Sequence, residues 1–214
     1  MDFQNNFDQV QQYFEKALQN HGATPQGADW NSPHSQNVRF DQLIKVIEQH
    51  EDFSILDYGC GYGALANYLK DKGYRYDLFV GYDILESMVE KGRELYHGRQ
   101  DIVFTSKVDE IPTVDYAIAS GVFNIRLNAS YEDWTRYTLD CLSFMNDHTR
   151  RGFSANFLTR YSDADRMEQR PDLYFANPCL LFDHCKRHFS RNVALLHDYD
   201  LYDFTLIVRK HDLG

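Results

Sequence analysis

The chain has 214 residues, and its content of 43% hydrophobic and 25% charged residues is typical of a globular protein and unlike that of a disordered one. Its formal net charge of −10 argues against a nucleic-acid partner, because proteins that hold a phosphate backbone usually present a basic surface. No apolar run approaches the ~20 residues that cross a bilayer, and no secretory signal is visible, so we expect a cytoplasmic protein with no membrane contact.

Residues 1–50 are predicted to form an N-terminal helical cap on a single domain that spans residues 1–214. The apolar residues that recur there at helical spacing are Phe7, Val10, Phe14 and Leu18. A turn-rich stretch follows at 20–33 and contains Trp30. Ser32 and Pro33 then have the character of an N-cap and a first helical residue, which predicts a second helix as far as Ile47.

Short apolar runs then alternate with helical segments. The predicted strands are 53–57, 77–82, 102–105, 114–119 and 152–158, and the predicted helices between them are 64–69, 85–95 and 131–145. Such alternation is typical of parallel βαβ units. The chain is therefore expected to build one open α/β sheet.

The C-terminal part departs from this alternation. A loop is predicted at 161–178 and a helix at 179–189. Two strands follow at 193–197 and 204–208, with only Asp198 to Asp203 between them, which is too short for a helical crossover. We therefore predict that these last two strands pair as an antiparallel hairpin.

A glycine loop follows the first strand, with Gly59, Gly61 and Gly63 directly before a helix and Cys60 where a small side chain is needed. Glycine lets the backbone turn sharply or approach a ligand closely, and open α/β sheets bind ligands at this end of the strands. Asp83 ends the next strand, where a carboxylate can accept both hydroxyls of a ribose. The alternative role for Asp83 is the N-cap of the helix that follows.

Asp57 separates two kinds of cofactor that share these features. It lies two residues before the first glycine, where a carboxylate would repel the pyrophosphate of a nicotinamide cofactor. A cationic sulfonium or amino group would be attracted instead. Asp57 therefore favours a positively charged ligand.

Three segments together resemble the class I S-adenosylmethionine-dependent methyltransferases. The segments are Leu56-Asp57-Tyr58-Gly59-Cys60-Gly61-Tyr62-Gly63, Gly81-Tyr82-Asp83-Ile84 and Ile111-Pro112-Thr113-Val114-Asp115-Tyr116, and the resemblance extends from about residue 36 to the end. It implies a Rossmann-like, doubly wound, seven-stranded sheet with S-adenosylmethionine as the cofactor. The glycines would pass under the methionine part, with Asp57 close by, Asp83 on the ribose, and Ile84 and Met88 beside the adenine.

One position departs from the family pattern. Many members carry an acidic residue five positions before the proline, where it contacts the adenine amine, but here that place holds Lys107. The adenine contact is then expected from Ser106, Val108 or the backbone.

The acceptor side is predicted from the ends of later strands. After the fourth strand, Ser120 and Gly121 are expected at the cofactor, and Asn124 or Arg126 could hold the substrate. An ordinary strand-to-helix loop is the competing interpretation.

Four further residues are candidates around the same site. Tyr161 begins the long loop after the fifth strand, and His197, which ends the sixth strand, is a candidate general base. A solvated loop and a structural histidine are the alternatives. Trp30 and Arg39 precede the core, where Arg39 could pair bidentately with the cofactor carboxylate, unless it lies on a solvated helix face.

The sequence thus predicts a methyltransferase acting on a small-molecule acceptor, perhaps at an oxygen of a sugar or other metabolite. Asn124, Tyr161 and His197 are the candidate catalytic residues, and no metal site is expected. A nicotinamide-dependent oxidoreductase, which would need an acid/base pair beside its hydride site, is one rival. A non-catalytic nucleotide- or cofactor-binding module is the other.

Overall fold

The computed structural model describes residue 12 and residues 33–210. Its helices are α1 (Pro33–Leu43), α2 (Ala64–Asp71), α3 (Glu86–Leu95), α4 (Tyr131–Asp147), α5 (Ala164–Gln169) and α6 (Pro178–His188), with 3-10 turns at Ile44–Val46 and Val108–Glu110. Its strands are β1 (Ser54–Tyr58), β2 (Leu78–Tyr82), β3 (Ile102–Thr105), β4 (Val114–Ala119), β5 (Thr149–Leu158), β6 (Asn192–Leu196) and β7 (Asp203–Arg209). The predicted helix over Phe7–Leu18, and Trp30, lie outside the described residues.

The strands form one seven-stranded sheet in the order β3-β2-β1-β4-β5-β7-β6. Strands β1 to β5 are parallel, whereas β7 runs antiparallel to both of its neighbours, β5 and β6. The predicted Rossmann-like sheet with an antiparallel C-terminal hairpin is confirmed. The strand order reverses where β1 meets β4, and such a reversal creates a ligand-binding crevice at the carboxyl ends of the strands.

Helices cover both faces of the sheet, so the strands are buried on both sides, as is usual for parallel sheets. In β1, Leu56 belongs to the core cluster that includes α4 and α6, whereas Ile55 belongs to the cluster that includes α1, α2 and α3. Both side chains are fully buried, and each such burial stabilises the fold by ~1.5–3 kcal/mol. The apolar runs of the sequence therefore become the middle layer of a three-layer fold.

Two elements differ from the prediction. The expected loop at 161–178 contains the short helix α5, whose Ala, Arg, Met, Glu and Gln residues all favour helix. Strand β5 begins at Thr149 instead of Gly152, because Arg150 and Arg151 are exposed strand residues that an apolar pattern does not reveal. Along residue 12 and residues 33–210, no helix combines the length and apolar character needed to cross a membrane.

Candidate active site

The glycine loop joins β1 to α2 and is held against the end of β2. The backbone N–H groups of Gly59 and Cys60 both donate to the carbonyl of Tyr82, at 2.7 and 2.9 Å. Gly61 has φ +53°, and a Cβ added there would meet no atom within 4 Å. The loop therefore presents an open backbone surface at Gly61, where a ligand can approach closely.

Two carboxylates lie beside this loop. Asp57 is only 2% exposed, and burial together with the neighbouring Asp83 raises its pKa to about 8. Asp83 accepts hydrogen bonds from the backbone N–H groups of Gly61 at 2.8 Å and Leu85 at 3.0 Å, while burial raises the pKa of its carboxyl. A positively charged ligand would favour the ionised form of Asp57 and relieve this electrostatic cost.

The two hydrogen bonds give Asp83 a structural role in addition to the expected one. It fixes both the glycine loop and the start of the segment leading into α3, although the N-cap position itself is Leu85. Each carboxylate oxygen can accept more than one hydrogen bond, so a ribose contact remains compatible with this geometry.

A cavity opens at the carboxyl ends of β1, β2, β4 and β5, beside the reversal of strand order. Its lining includes Gln36, Arg39, Phe40, Asp57, Tyr58, Gly59, Cys60, Gly61, Tyr62, Ala64, Tyr82, Asp83, Ile84, Leu85, Met88, Ser120, Gly121, Val122, Asn124, Ile125, Trp134, Tyr137, Leu158, Arg166, Arg170 and Leu173. The structure thus brings together residues from the glycine loop, from the end of β4 and from the α5 segment.

Aromatic side chains form part of the cavity wall. The rings of Tyr58 and Tyr82 lie 5.1 Å apart, and Trp134 donates its indole N–H to the carbonyl of Phe123 at 2.8 Å. Burial raises the pKa of Tyr82 to about 12 and also raises that of Tyr137. These tyrosines are therefore neutral near pH 7 and offer ring surfaces and hydroxyl groups but no base.

The sequence pattern does not predict a buried polar network that adjoins the cavity. Arg39 donates from Nε and Nη2 to the two carboxylate oxygens of Asp203, at 2.6 and 3.1 Å, and from Nη1 to the carbonyl of Ser35. Asn156 donates to Asp203 at 2.8 Å and accepts from the backbone N–H of Gly121 at 2.8 Å. The network ties α1, β5 and β7 to the loop at the cavity.

This network gives Arg39 a bidentate partner within the protein, and its predicted pairing with the cofactor carboxylate stays a prediction. The residue lines the cavity, but its bidentate partner is Asp203, and all three guanidinium nitrogens already have protein acceptors. Asn156 among the apolar residues at the carboxyl end of β5 is the available signal, because a buried amide requires hydrogen-bond partners.

Gly63 has a different role from Gly61. It has φ +88° and N-caps α2, and a Cβ there would lie 2.6 Å from the ring of Phe104. The residue is absent from the cavity lining, so its small size serves packing between α2 and β3. Its predicted place under the cofactor stays a prediction.

Three other predicted site residues lie outside the cavity lining. Val108 is 46% exposed on a 3-10 turn, and Lys107 beside it pairs with Glu110 at 3.0 Å. Tyr161 is 67% exposed, with its ring 6.0 Å from that of His197, which is itself exposed after the edge strand β6. Strand β6 is separated from β5 by β7, which moves His197 away from the crevice.

Of the remaining predictions, Asn124 lines the cavity and accepts a hydrogen bond from the N–H of Leu158 at 3.3 Å. Arg126 instead donates to the carbonyls of Leu173 and Ala129 and so stabilises its own loop. Ser120 lines the cavity, and its buried Oγ has no hydrogen-bond partner within residues 33–210 and residue 12. Such a hydroxyl is available to hydrogen-bond a ligand or a water molecule in the cavity.

A family profile and a protein relative both identify methyltransferases as the proteins that this chain resembles. A family profile described as "Methyltransferase domain" matches residues 56–134. A protein of Mycobacterium tuberculosis named as a "putative methyltransferase" is 45% identical over 169 residues, which is 78% of this chain and 99% of that protein.

Solved structures share the fold at low sequence identity. The N-methyltransferase NodS of Bradyrhizobium japonicum, in complex with S-adenosyl-L-homocysteine, matches with a TM-score of 0.63 and 13% identity over 93% of this chain and 97% of NodS. Magnesium protoporphyrin IX methyltransferase of Synechocystis, with bound S-adenosylhomocysteine, matches with a TM-score of 0.61 and 16% identity over 83% of this chain and 84% of that one.

Proposed function

Because the chain belongs to the family of class I S-adenosylmethionine-dependent methyltransferases, we propose that it transfers the methyl group of S-adenosylmethionine to a small-molecule acceptor inside the cavity. The observation that carries the proposal is the pairing of two carboxylates, Asp57 and Asp83, with the open backbone of Gly61 in one cavity. This combination suits a ligand that carries positive charge and a ribose.

The residues present fit S-adenosylmethionine. We propose that it is held by Asp57, Gly59, Cys60, Gly61, Asp83, Ile84, Met88 and Ser120, all of which line the cavity. Asp57 would face the cationic part, while the orphaned hydroxyl of Ser120 would gain a hydrogen-bond partner. When bound, the cofactor supplies a reactive methyl group on a positively charged sulfur.

The chain itself contributes orientation and exclusion of water. Aligning two reactants is worth up to ~7–11 kcal/mol in favourable systems. Asn124, Arg166 and Leu173 extend the cavity from the end of β4 towards α5, and we place the acceptor there. Because Tyr161 and His197 lie outside the lining, we assign acceptor binding to Asn124 and α5 in their stead.

A nicotinamide-dependent oxidoreductase is disfavoured by the same carboxylates, since a pyrophosphate beside Asp57 would be repelled.

We further propose that residues 1–214 form one methyltransferase domain and that it works in the cytoplasm. The free thiols of Cys60, Cys141, Cys179 and Cys185 support a reducing compartment.

Calorimetry with S-adenosylhomocysteine and with NAD tests the proposal. We expect S-adenosylhomocysteine to bind and NAD to bind far more weakly or not at all. Gly61→Ala should weaken S-adenosylhomocysteine binding at least tenfold, because a methyl group would occupy the open space of the loop.

Gly73→Ala is the matched control. Gly73 also has positive φ and open surroundings, but it lies outside the cavity, so this variant should bind as the wild type does. Tighter binding of NAD, or unchanged affinity in folded Gly61→Ala, would refute the proposed cofactor site.

A further inference from the structure

Arg166 lies on α5 and lines the cavity. Its guanidinium carbon is 4.6 Å from the centre of the Tyr202 ring, a cation–π contact. The Tyr202 hydroxyl donates to Asp163 at 2.6 Å, so the ring under the guanidinium is fixed at both ends. The Arg166 side chain is therefore supported in place at the acceptor end of the cavity.

One donor of this guanidinium has no acceptor among the described residues. Nε of Arg166 is buried and has no hydrogen-bond partner in the part of the chain that the structure describes. A buried charged donor without an acceptor costs free energy that a ligand oxygen would recover. Arg166 is thus suited to bind a ligand that offers an oxygen as hydrogen-bond acceptor.

The charge balance of the cavity points to the same residue. Three arginines line it, but Arg39 pairs with Asp203 at 2.6 Å and Arg170 pairs with Asp172 at 2.8 Å. Within residue 12 and residues 33–210, no carboxylate forms a salt bridge with Arg166. Of the three arginines that line the cavity, Arg166 is thus the one whose positive charge is not balanced by a salt bridge to a described residue.

We propose that Arg166 binds an anionic group of the methyl acceptor, a carboxylate or a phosphoryl group, so that the substrates of this enzyme are acidic small molecules. The inference rests on the proposed function, because it places this group in the cavity shared with the cofactor. A guanidinium presents two parallel N–H donors to an oxyanion, and the Tyr202 ring presets its orientation. Such a site selects an acidic acceptor over the neutral ester of the same compound, because only the ionised acid forms an ion pair with the guanidinium of Arg166.

Anion binding to the protein saturated with S-adenosylhomocysteine tests this assignment. Inorganic phosphate and acetate are added in separate titrations, with chloride as the reference anion that keeps the ionic strength constant. Binding is read from the rise in the melting temperature of the protein. We expect one of the two anions to stabilise the wild type beyond chloride, which also tells a phosphoryl site from a carboxylate site. Arg166→Gln should weaken that binding roughly ten- to a hundredfold, since hydrogen bonds to charged groups are worth ~1.5–3 kcal/mol.

Two further variants sharpen the result. Arg166→Lys keeps the charge but loses the fork, so its affinity should fall between the wild type and Arg166→Gln. Arg160→Gln removes the same charge from an exposed position outside the lining and should behave as the wild type. Equal loss in Arg160→Gln and Arg166→Gln would assign the effect to net charge and overturn the proposal.

A metabolite extract separated by anion exchange gives an independent readout. With labelled S-adenosylmethionine, we expect methyl-acceptor activity in the retained, acidic fraction and its loss in Arg166→Gln. Acceptor activity confined to the unretained fraction, or no stabilisation by either anion, would overturn the role of Arg166. Failure of S-adenosylhomocysteine to bind would instead refute the proposed function, so the two failures are distinguishable.

Discussion

Asp57 illustrates how a single residue can be arranged for a cationic ligand. It is buried next to Asp83, and both burial and the second carboxylate raise its pKa, to about 8. The residue lies at the end of β1, directly before the glycine loop at which we propose the cofactor binds. Ionised Asp57 therefore lowers the stability of the folded protein, and the cationic ligand that we propose would offset this cost.

The pH dependence of stability should reveal this cost. The pKa of Asp57 is raised from about 3.9 in the unfolded chain to about 8 in the folded one. The folded state therefore binds more protons between these values, and stability must fall as pH rises. Relative to Asp57→Asn, the wild type should lose up to about 1.4 kcal/mol of unfolding free energy per pH unit in this window.

Urea denaturation of the wild type and Asp57→Asn at pH 5, 6, 7 and 8 measures the difference directly. Asparagine does not titrate, so groups common to both proteins cancel. A difference that is constant across the series would contradict the raised pKa.

At the scale of elements, the site depends on how helices pack against the strand ends. The helix α2 begins at Gly63, which lies against Phe104 from β3, and α1 is joined to β7 through Arg39 and Asp203. Gly63 lies outside the cavity lining, and the Arg39–Asp203 pair holds the cavity wall from α1 and β7. Substitutions there should therefore act on stability first.

Gly63→Ala is expected to destabilise the fold by about 2–5 kcal/mol, the combined cost of left-handed backbone strain and of overpacking against Phe104. Gly98→Ala, at φ +85° with open surroundings, should show the strain alone. Adding Phe104→Leu should rescue part of the loss in Gly63→Ala. Equal unfolding free energies for Gly63→Ala and Gly98→Ala would exclude the packing role.

Asp203→Ala should cost about 3–5 kcal/mol, because it leaves the 7% exposed Arg39 without its buried counter-ion. The double variant Arg39→Met with Asp203→Leu removes both charges and should recover much of that loss. Denaturant unfolding of the two single variants and the double variant forms a mutant cycle. A double variant whose loss equals the sum of the single losses would show that the two residues are not coupled.

At the scale of the whole molecule, four parallel strands and α1 converge on one cavity. A ligand bound there contacts elements that are distant in sequence, and so it should stabilise the folded state as a unit. The link between binding and global stability is a consequence of placing the site at the reversal of strand order.

Saturation with S-adenosylhomocysteine at a hundred times its dissociation constant should add about 2.7 kcal/mol of stability. For a chain of this size that corresponds to a rise in melting temperature of roughly 5–10 °C. The shift should shrink in Gly61→Ala at the same ligand concentration. A wild-type melting temperature that does not respond to the ligand would contradict the location of the site.

The sequence by itself determined the order of the strands and of every described helix except α5, together with the glycine loop and the charge beside it. These are local properties: apolar runs mark buried strands, and Gly61 marks a backbone turn. The short spacing between β6 and β7 was also enough to predict their antiparallel pairing. The family resemblance then supplied the cofactor that such a loop serves.

The tertiary structure alone decided which polar side chains meet. Arg39 and Asp203 are 164 residues apart, and no local pattern signals their contact. Likewise, His197 follows β6, which is the outermost strand of the sheet, and so lies away from the cavity. Arg166 reaches the cavity from α5, a helix that the sequence pattern does not predict. The physical reason is that local patterns encode backbone conformation, whereas ion pairs and cavity walls depend on strand order and on side-chain packing across the whole fold.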